Sequence, residues 1–196
     1  AVSKVIVASG ATVDFNGIGD AAYGYTIAGT GVAGQGALIN TGAAITPGTK
    51  QISNLTLAAN ATIGGSGSFA LVAPDHDPNT LDLAGYTLTK SGSNVFGVSD
   101  TTFTAGTIHI AGGTFTQYRQ AHDASMVAFT FANAAGANLA LGGYDLEVGS
   151  LAGGGSTGGS IALGGSTLTV GDLDTSTTYA GIISGSGGLI KVGLGT

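Results

Sequence analysis

Residues 137–151 (ANLALGGYDLEVGSL) align without a gap on residues 159–173 (GSIALGGSTLTVGDL), displaced by 22 positions and identical at eight. In each copy an apolar, small, apolar trio (Leu139-Ala140-Leu141, Ile161-Ala162-Leu163) runs into a Gly-Gly pair. A second trio (Leu146-Glu147-Val148, Leu168-Thr169-Val170), a glycine and a closing leucine complete the unit. Alternation with period two reads as strand, so each unit is two short strands about a glycine corner. A strand of three residues cannot bury its inner side alone. A period of about 20 to 30 residues built from such strands therefore requires that one unit stack on the next, which is the defining constraint of a solenoid.

The motif recurs upstream with looser spacing. Residues 81–89 (LDLAGYTLT) carry the same trio, glycine corner and tyrosine as residues 139–147, and Ile108-His109-Ile110 and Leu55-Thr56-Leu57 begin degenerate versions. The trios start at positions 55, 81, 108, 139 and 161, with the widest step from 108 to 139 and the narrowest from 139 to 161. Unequal steps over one motif predict equal rungs with loops of varying length inserted at exposed corners. In this reading Tyr86 and Tyr144 line the same corner, and the interval from 108 to 139 holds the largest insertion.

Composition bounds the rest. Glycine at 37 of 196 residues suits a solvated coil, but 43% hydrophobic and only 8% charged residues do not, so the chain is expected to fold. No proline-rich or charged linker divides it, and residues 1–196 read as a single domain. The strands are shorter than the roughly 9 to 11 residues a membrane barrel needs, and no run of about 18 apolar residues offers a spanning helix, so no membrane insertion is expected. A net charge of −6, with five basic residues scattered along the chain, gives no footprint for a phosphate backbone, which argues against nucleic acid. With no cysteine there are neither disulfides nor thiolate metal sites.

Two polar clusters stand out. Pro74-Asp75-His76-Asp77-Pro78-Asn79 sets two carboxylates around a histidine, but its prolines and asparagine mark an ordinary surface turn. Gln117-Tyr118-Arg119-Gln120-Ala121-His122-Asp123 is the one place where a guanidinium, an imidazole, a carboxylate and an aromatic ring coincide. A planar guanidinium beside a tyrosine suits a sugar or a carboxylate, so Tyr118, Arg119, His122 and Asp123 are the candidate ligand-binding residues, on an inserted loop or short helix at a corner. No catalytic or metal site and no cofactor is assigned. The glycine runs lack the lysine of a phosphate loop, and residues 64–69 (GGSGSF) lack the carboxylate of the calcium-binding nonapeptide. His109 and the acids Asp82 and Glu147 fall at outward strand positions, with no basic partner for either acid one rung away.

Residues 179–196 (YAGIISGSGGLIKVGLGT) resemble the passenger-associated repeat of bacterial autotransporters, whose pattern runs Y-x-G-x-I-x-G-x-G-x-L-x-K-x-G-x-G-T. The resemblance implies an all-β, right-handed parallel β-helix of about eight rungs, exported across the outer membrane of a Gram-negative bacterium and displayed at the cell surface or released. The family's C-terminal translocator barrel has no counterpart in this sequence, so the chain reads as a segment of a longer passenger, a natural partner of that barrel. Three functions follow as expectations. A non-catalytic adhesin or display stalk, meeting surface glycans or matrix proteins of a host, is preferred. A polysaccharide lyase or hydrolase is the alternative, disfavoured because its acids would need a basic partner on an adjacent rung. A flat, ice-binding face would need paired threonine columns, which Thr56, Thr89 and Thr169 are not expected to form.

Overall fold

A computed structural model of the chain describes residues 4–19, 23–45, 51–72, 79–119 and 122–196. Among the described residues every strand pairing is parallel, and paired residues lie about one turn apart along the chain, as Val5 with Tyr25, Leu38 with Ile63 and Leu146 with Leu168 do. The result is a parallel β-helix with three faces. One column of the second face gives its length: Val13, Leu38, Ile63, Lys90, Ile110, Phe131, Gly153 and Tyr179 follow one another in register, one per turn, for about eight turns. At about 4.8 Å per rung the rod is roughly 40 Å long.

The first face runs from Lys4–Val7 through Tyr23–Gly29, the start of Ile52–Gly65, Asn79–Asp82 and Thr101–Phe103. It continues through residues 122–124 and 146–148 to Leu168–Val170 and Leu189–Lys191. The third face stacks Phe69–Leu71, Val95–Ser99, Thr114–Arg119, Asn138–Ala140, Ser160–Gly164 and Ile183–Gly185. The strands Ile52–Gly65, His122–Phe131 and Leu146–Gly153 bend across the corner between the first and second faces and serve both.

The spacing between the two repeat copies is the pitch of the helix. Leu139 pairs with Ile161 and Leu146 with Leu168, as the alignment requires. The upstream trios are equivalent in chemistry but not in place. Leu55 and Leu81 share the first face, Ile108 lies on the second, and Leu139 and Ile161 lie on the third. All three faces are built from the same strand and glycine corner, so the trio pattern carries no information about which face a strand occupies. Consequently Tyr86 stands between the first and second faces and Tyr144 between the third and first, at different corners. The interval from 108 to 139 is not an insertion either: it holds a complete turn through Phe115, Asp123 and Phe129 plus one further face. The final leucines of the two repeat copies also part. Leu151 joins the core against Phe129, whereas Leu173 is 41% exposed and lies over Gly149.

Inside, the columns form one continuous core from Val7 to Val170. Phe15, Phe69, Phe96 and Phe115 stack along the rod with ring centroids 5.2 to 5.8 Å apart in edge-on or tilted contact, the arrangement aromatic quadrupoles favour. Polar side chains admitted to this interior bond to corner carbonyls. The Asn40 amide donates to Ala43 (2.8 Å) and Ser68 (3.2 Å), and the Asn94 amide to Gly64 (3.2 Å) and Gly67 (2.9 Å). Lys90 occupies an inward position between Ile63 and Ile110 and is fully buried. Its ammonium donates to Ser91 O (2.6 Å) and, one rung on, to Gly112 O (3.1 Å).

Burial pushes the Lys90 ammonium down to about 8, from 10.5 when exposed. A depressed lysine means that the unfolded chain binds more protons than the folded one between those two values, so stability rises with pH across that window. Denaturant titrations at pH 7, 8 and 9, below the range in which the buried tyrosines titrate, are expected to show this rise in the wild type and to lose it in Lys90→Met. In the same assay Phe96→Ala, which removes the centre of the aromatic stack, is expected to cost about 3–5 kcal/mol.

Candidate functional site

The sequence cluster at 117–123 is divided between two faces of the rod. Gln117, Tyr118 and Arg119 end the third-face strand Thr114–Arg119, and Asp123 lies in the next strand, His122–Phe131, whose first residues belong to the first face. Regular strand thus replaces the expected loop or short helix. The reason is the rung itself: a turn must present a strand on each face, and this segment supplies two of them. Gln120, Ala121 and the side chain of His122 lie outside the described residues, as do residues 74–78 of the other polar cluster.

Each described member has its own surroundings. Gln117 points inward and its amide donates to Leu141 O (3.4 Å) and Tyr144 O (3.2 Å), tying this rung to the next corner. Tyr118 points outward and folds its ring into the space where a Cβ on Gly97 would stand; burial raises its hydroxyl above the ordinary tyrosine value. Arg119 is exposed at the strand end, in register with Ser99 across an irregular step after Gln117. Asp123 accepts a hydrogen bond from the Ser125 backbone N–H (2.9 Å), and its hydrogen bonding with Ser125 holds its carboxyl below the usual range.

The structure assembles a different group, on the first face. Asp123 pairs in register with Glu147 and Glu147 with Thr169, which in turn faces Ile190. With Asp145 and Thr167 these residues line an open groove of about 410 Å³. Partial burial, followed by the charges of Asp172 and Asp123, raises the Glu147 carboxyl above its ordinary value. Asp145 accepts from the Thr167 N–H at 2.7 Å, fixing the groove's lower corner. The ledge is therefore a set of carboxylates that repel one another on a rigid strand lattice, with hydroxyls between them.

Every carboxylate borne by a strand of the first or third face among the described residues belongs to the first face: Asp82, Asp123 and Glu147. Asp82 accepts a hydrogen bond from the Thr104 hydroxyl (2.7 Å). The second face carries Asp14 on its first rung, where the carboxylate accepts from the Thr41 backbone N–H (3.0 Å), and further along it presents threonines around one histidine. Thr62, Thr89, His109 and Thr130 form one outward column there, with Thr87 beside Thr107 in the next, and His109 Nδ1 lies 2.9 Å from the Thr130 hydroxyl. The sequence reading missed this threonine column because it compared trios that lie on different faces. It missed the acidic ledge because His122-Asp123-Ala124 breaks the apolar trio pattern. The repeat's displacement of 22 leads from Glu147 back to Ser125, whereas the strands pair Glu147 with Asp123, so the sequence spacing alone does not reveal the ledge.

No family model, curated protein or solved structure matches this chain.

Proposed function

We propose that this chain is a non-catalytic β-helical segment of an exported bacterial surface protein, serving adhesion or display in the manner of an autotransporter passenger. The observation that carries the reading is the motif at residues 179–196, because its marked positions have rung-building tasks. Tyr179 packs edge-on against Phe131 and its hydroxyl donates to Gly159 O. Ile183 extends the Leu139–Ile161 column, and Leu189 extends the Leu146–Leu168 column. At Gly181 a Cβ would run into the Gly159 carbonyl and at Gly187 into the Ser166 carbonyl, so the close approach of successive corners requires glycine.

A rod of this kind suits export as an unfolded thread. Each rung is stabilised by its neighbour alone, so folding can begin at one end and propagate as the chain emerges. The absence of cysteine from the sequence leaves no disulfide to lock the thread before it crosses. The acidic groove and the outward tyrosines give the surface on which an adhesive contact with glycans or matrix proteins would form. A polysaccharide lyase or hydrolase is less well supported, since the groove of Asp123, Asp145 and Glu147 has, among the described residues, no basic side chain in its lining to stabilise developing negative charge.

The test is display. Placed between an export signal and an outer-membrane translocator barrel, the chain is expected to reach the surface of intact cells, where external antibody detects it. Leu139→Asp, which puts a charge into the column of Phe115 and Ile161, is expected to lower the displayed amount several-fold. Wild-type chain held in the periplasm, or depolymerisation of polysaccharide by the purified protein, would contradict the reading.

A further inference from the structure

The large hydrophobic side chains that the body of the rod exposes all lie on one corner. Between Gly24 and Gly181, Val32 (60% exposed), Tyr86 (40%), Met126 (59%) and Leu173 (41%) are the exposed ones among the described residues. Each stands where the chain passes from the first face to the second. Counted along the column from Val13 to Tyr179, they belong to the second, fourth, sixth and eighth rungs. The third, fifth and seventh rungs turn the same corner with Ala58 and Ala59, with Ala105 and with Gly149. Apolar knobs thus alternate with small residues along the rod.

Each knob has a rung on either side of it. The Val32 N–H donates to the Thr12 hydroxyl (2.7 Å) on the rung before, and the Ala37 N–H closing the same corner donates to Thr62 O (2.7 Å) on the rung after. The Leu173 N–H donates to Gly149 O (3.0 Å) on the rung before, and the neighbouring Asp174 accepts from the Leu194 N–H (2.6 Å) on the rung after. The exposure therefore belongs to the corner and not to an open rung.

The two flanks of this ridge differ. On the first-face side Asp82, Asp123 and Glu147 point outward, and Asp172 stands on the corner itself. No lysine or arginine occupies a first-face strand from Tyr23 to Val170 among the described residues. On the second-face side Thr87 and Thr107 are in register and part-exposed, and their hydroxyls have no hydrogen-bond partner among the described residues. A chain lying along the ridge meets apolar knobs beneath it, negative charge on one side and free hydroxyls on the other.

We propose that this corner docks a proline-rich, basic segment of a partner protein in the polyproline II conformation, with prolines on the knobs and basic side chains toward the first-face acids. The period selects the conformation. Knobs on alternate rungs are about 9.6 Å apart. Three residues of polyproline II advance about 9.3 Å and return to the same side, whereas a heptad of α-helix advances about 10.5 Å and alternate residues of a strand about 6.6 Å. Over three intervals polyproline II falls short by about 0.9 Å and the helix overshoots by about 2.7 Å. The Leu173 side chain leans back over Gly149, which shortens the last interval in the direction that suits the former. Polyproline II also has no internal hydrogen bonds, so its carbonyls need donors, and the Thr87 and Thr107 hydroxyls can supply them. With three residues per turn, a Pro-Pro-Arg repeat sets every arginine on one side, where the carboxylates of Asp82, Asp123 and Glu147 stand. The inference goes beyond the display reading and does not depend on it.

Fluorescence anisotropy of labelled peptides titrated with the protein, at about 0.05 and 0.3 M salt, tests it. The peptide (Pro-Pro-Arg)4 is expected to bind, more tightly at the lower salt, and (Pro-Pro-Glu)4 and (Gly-Gly-Arg)4 to bind at least about tenfold more weakly. The double variant Tyr86→Ser/Met126→Ser is expected to lose about tenfold in affinity for (Pro-Pro-Arg)4, and Glu147→Gln/Asp172→Asn to lose several-fold and to flatten the salt dependence. Ile18→Ser, which removes a 66% exposed isoleucine away from this corner, is expected to bind as the wild type does. Circular dichroism establishes that each variant is folded. No binding of (Pro-Pro-Arg)4 up to about 1 mM, equal binding of (Gly-Gly-Arg)4, tighter binding of a basic amphipathic helical peptide, or a folded ridge variant that binds no more weakly than Ile18→Ser would each overturn the proposal.

Discussion

The structure rests on the burial of one inward column by the column above and below it. Three-residue strands such as Asn138–Ala140 and Leu168–Val170 cannot form a stable pair in isolation, and such trios become strands because a similar surface lies one rung away. Burying a leucine or phenylalanine side chain is worth about 1.5 to 3 kcal/mol, and each rung sets several such residues against the next. Stability is therefore local along the rod and accumulates turn by turn.

Corners are where the backbone departs from regular pairing, and their chemistry follows from that departure. Successive corners approach so closely that a Cβ at Gly181 or Gly187 would meet a carbonyl. Where a carbonyl turns inward, a buried donor meets it: Asn40, Asn94, Gln117 and Lys90 all serve corner carbonyls from inside. With the interior committed to stacking, the distinctions available for recognition lie outside. The first face carries a column of acids and hydroxyls, and the second face threonines around His109.

The sequence made the architecture legible and the placement of side chains much less so. The offset between two near-identical units contained the pitch, and pairing of Leu139 with Ile161 and of Leu146 with Leu168 follows it. It could not show on which face a trio lies, because Leu81, Ile108 and Leu139 satisfy the same local pattern on three different faces. For that reason Tyr86 and Tyr144 were expected at one corner, and Tyr118, Arg119 and Asp123 on one loop. Proximity along the chain misleads in a solenoid, where Asp123 neighbours Glu147 one turn on more directly than it neighbours the third-face strand that ends at Arg119. The composition of the trios also concealed Lys90, an inward residue that alternation alone marks as polar surface or as core with equal ease.

The claim on which everything else turns is the direction and register of pairing. The segment LALGGYDLEV has the alternation and glycine pair of a β-hairpin, so the competing arrangement folds residues 139–141 back antiparallel on residues 146–148. A nuclear Overhauser spectrum of the methyl-labelled protein separates the two arrangements. Stacked rungs predict methyl contacts from Leu139 to Ile161 and from Leu146 to Leu168, one full repeat apart in each case. Cross-strand backbone contacts between residues 139–141 and 146–148, without the long-range methyl contacts, would contradict the solenoid.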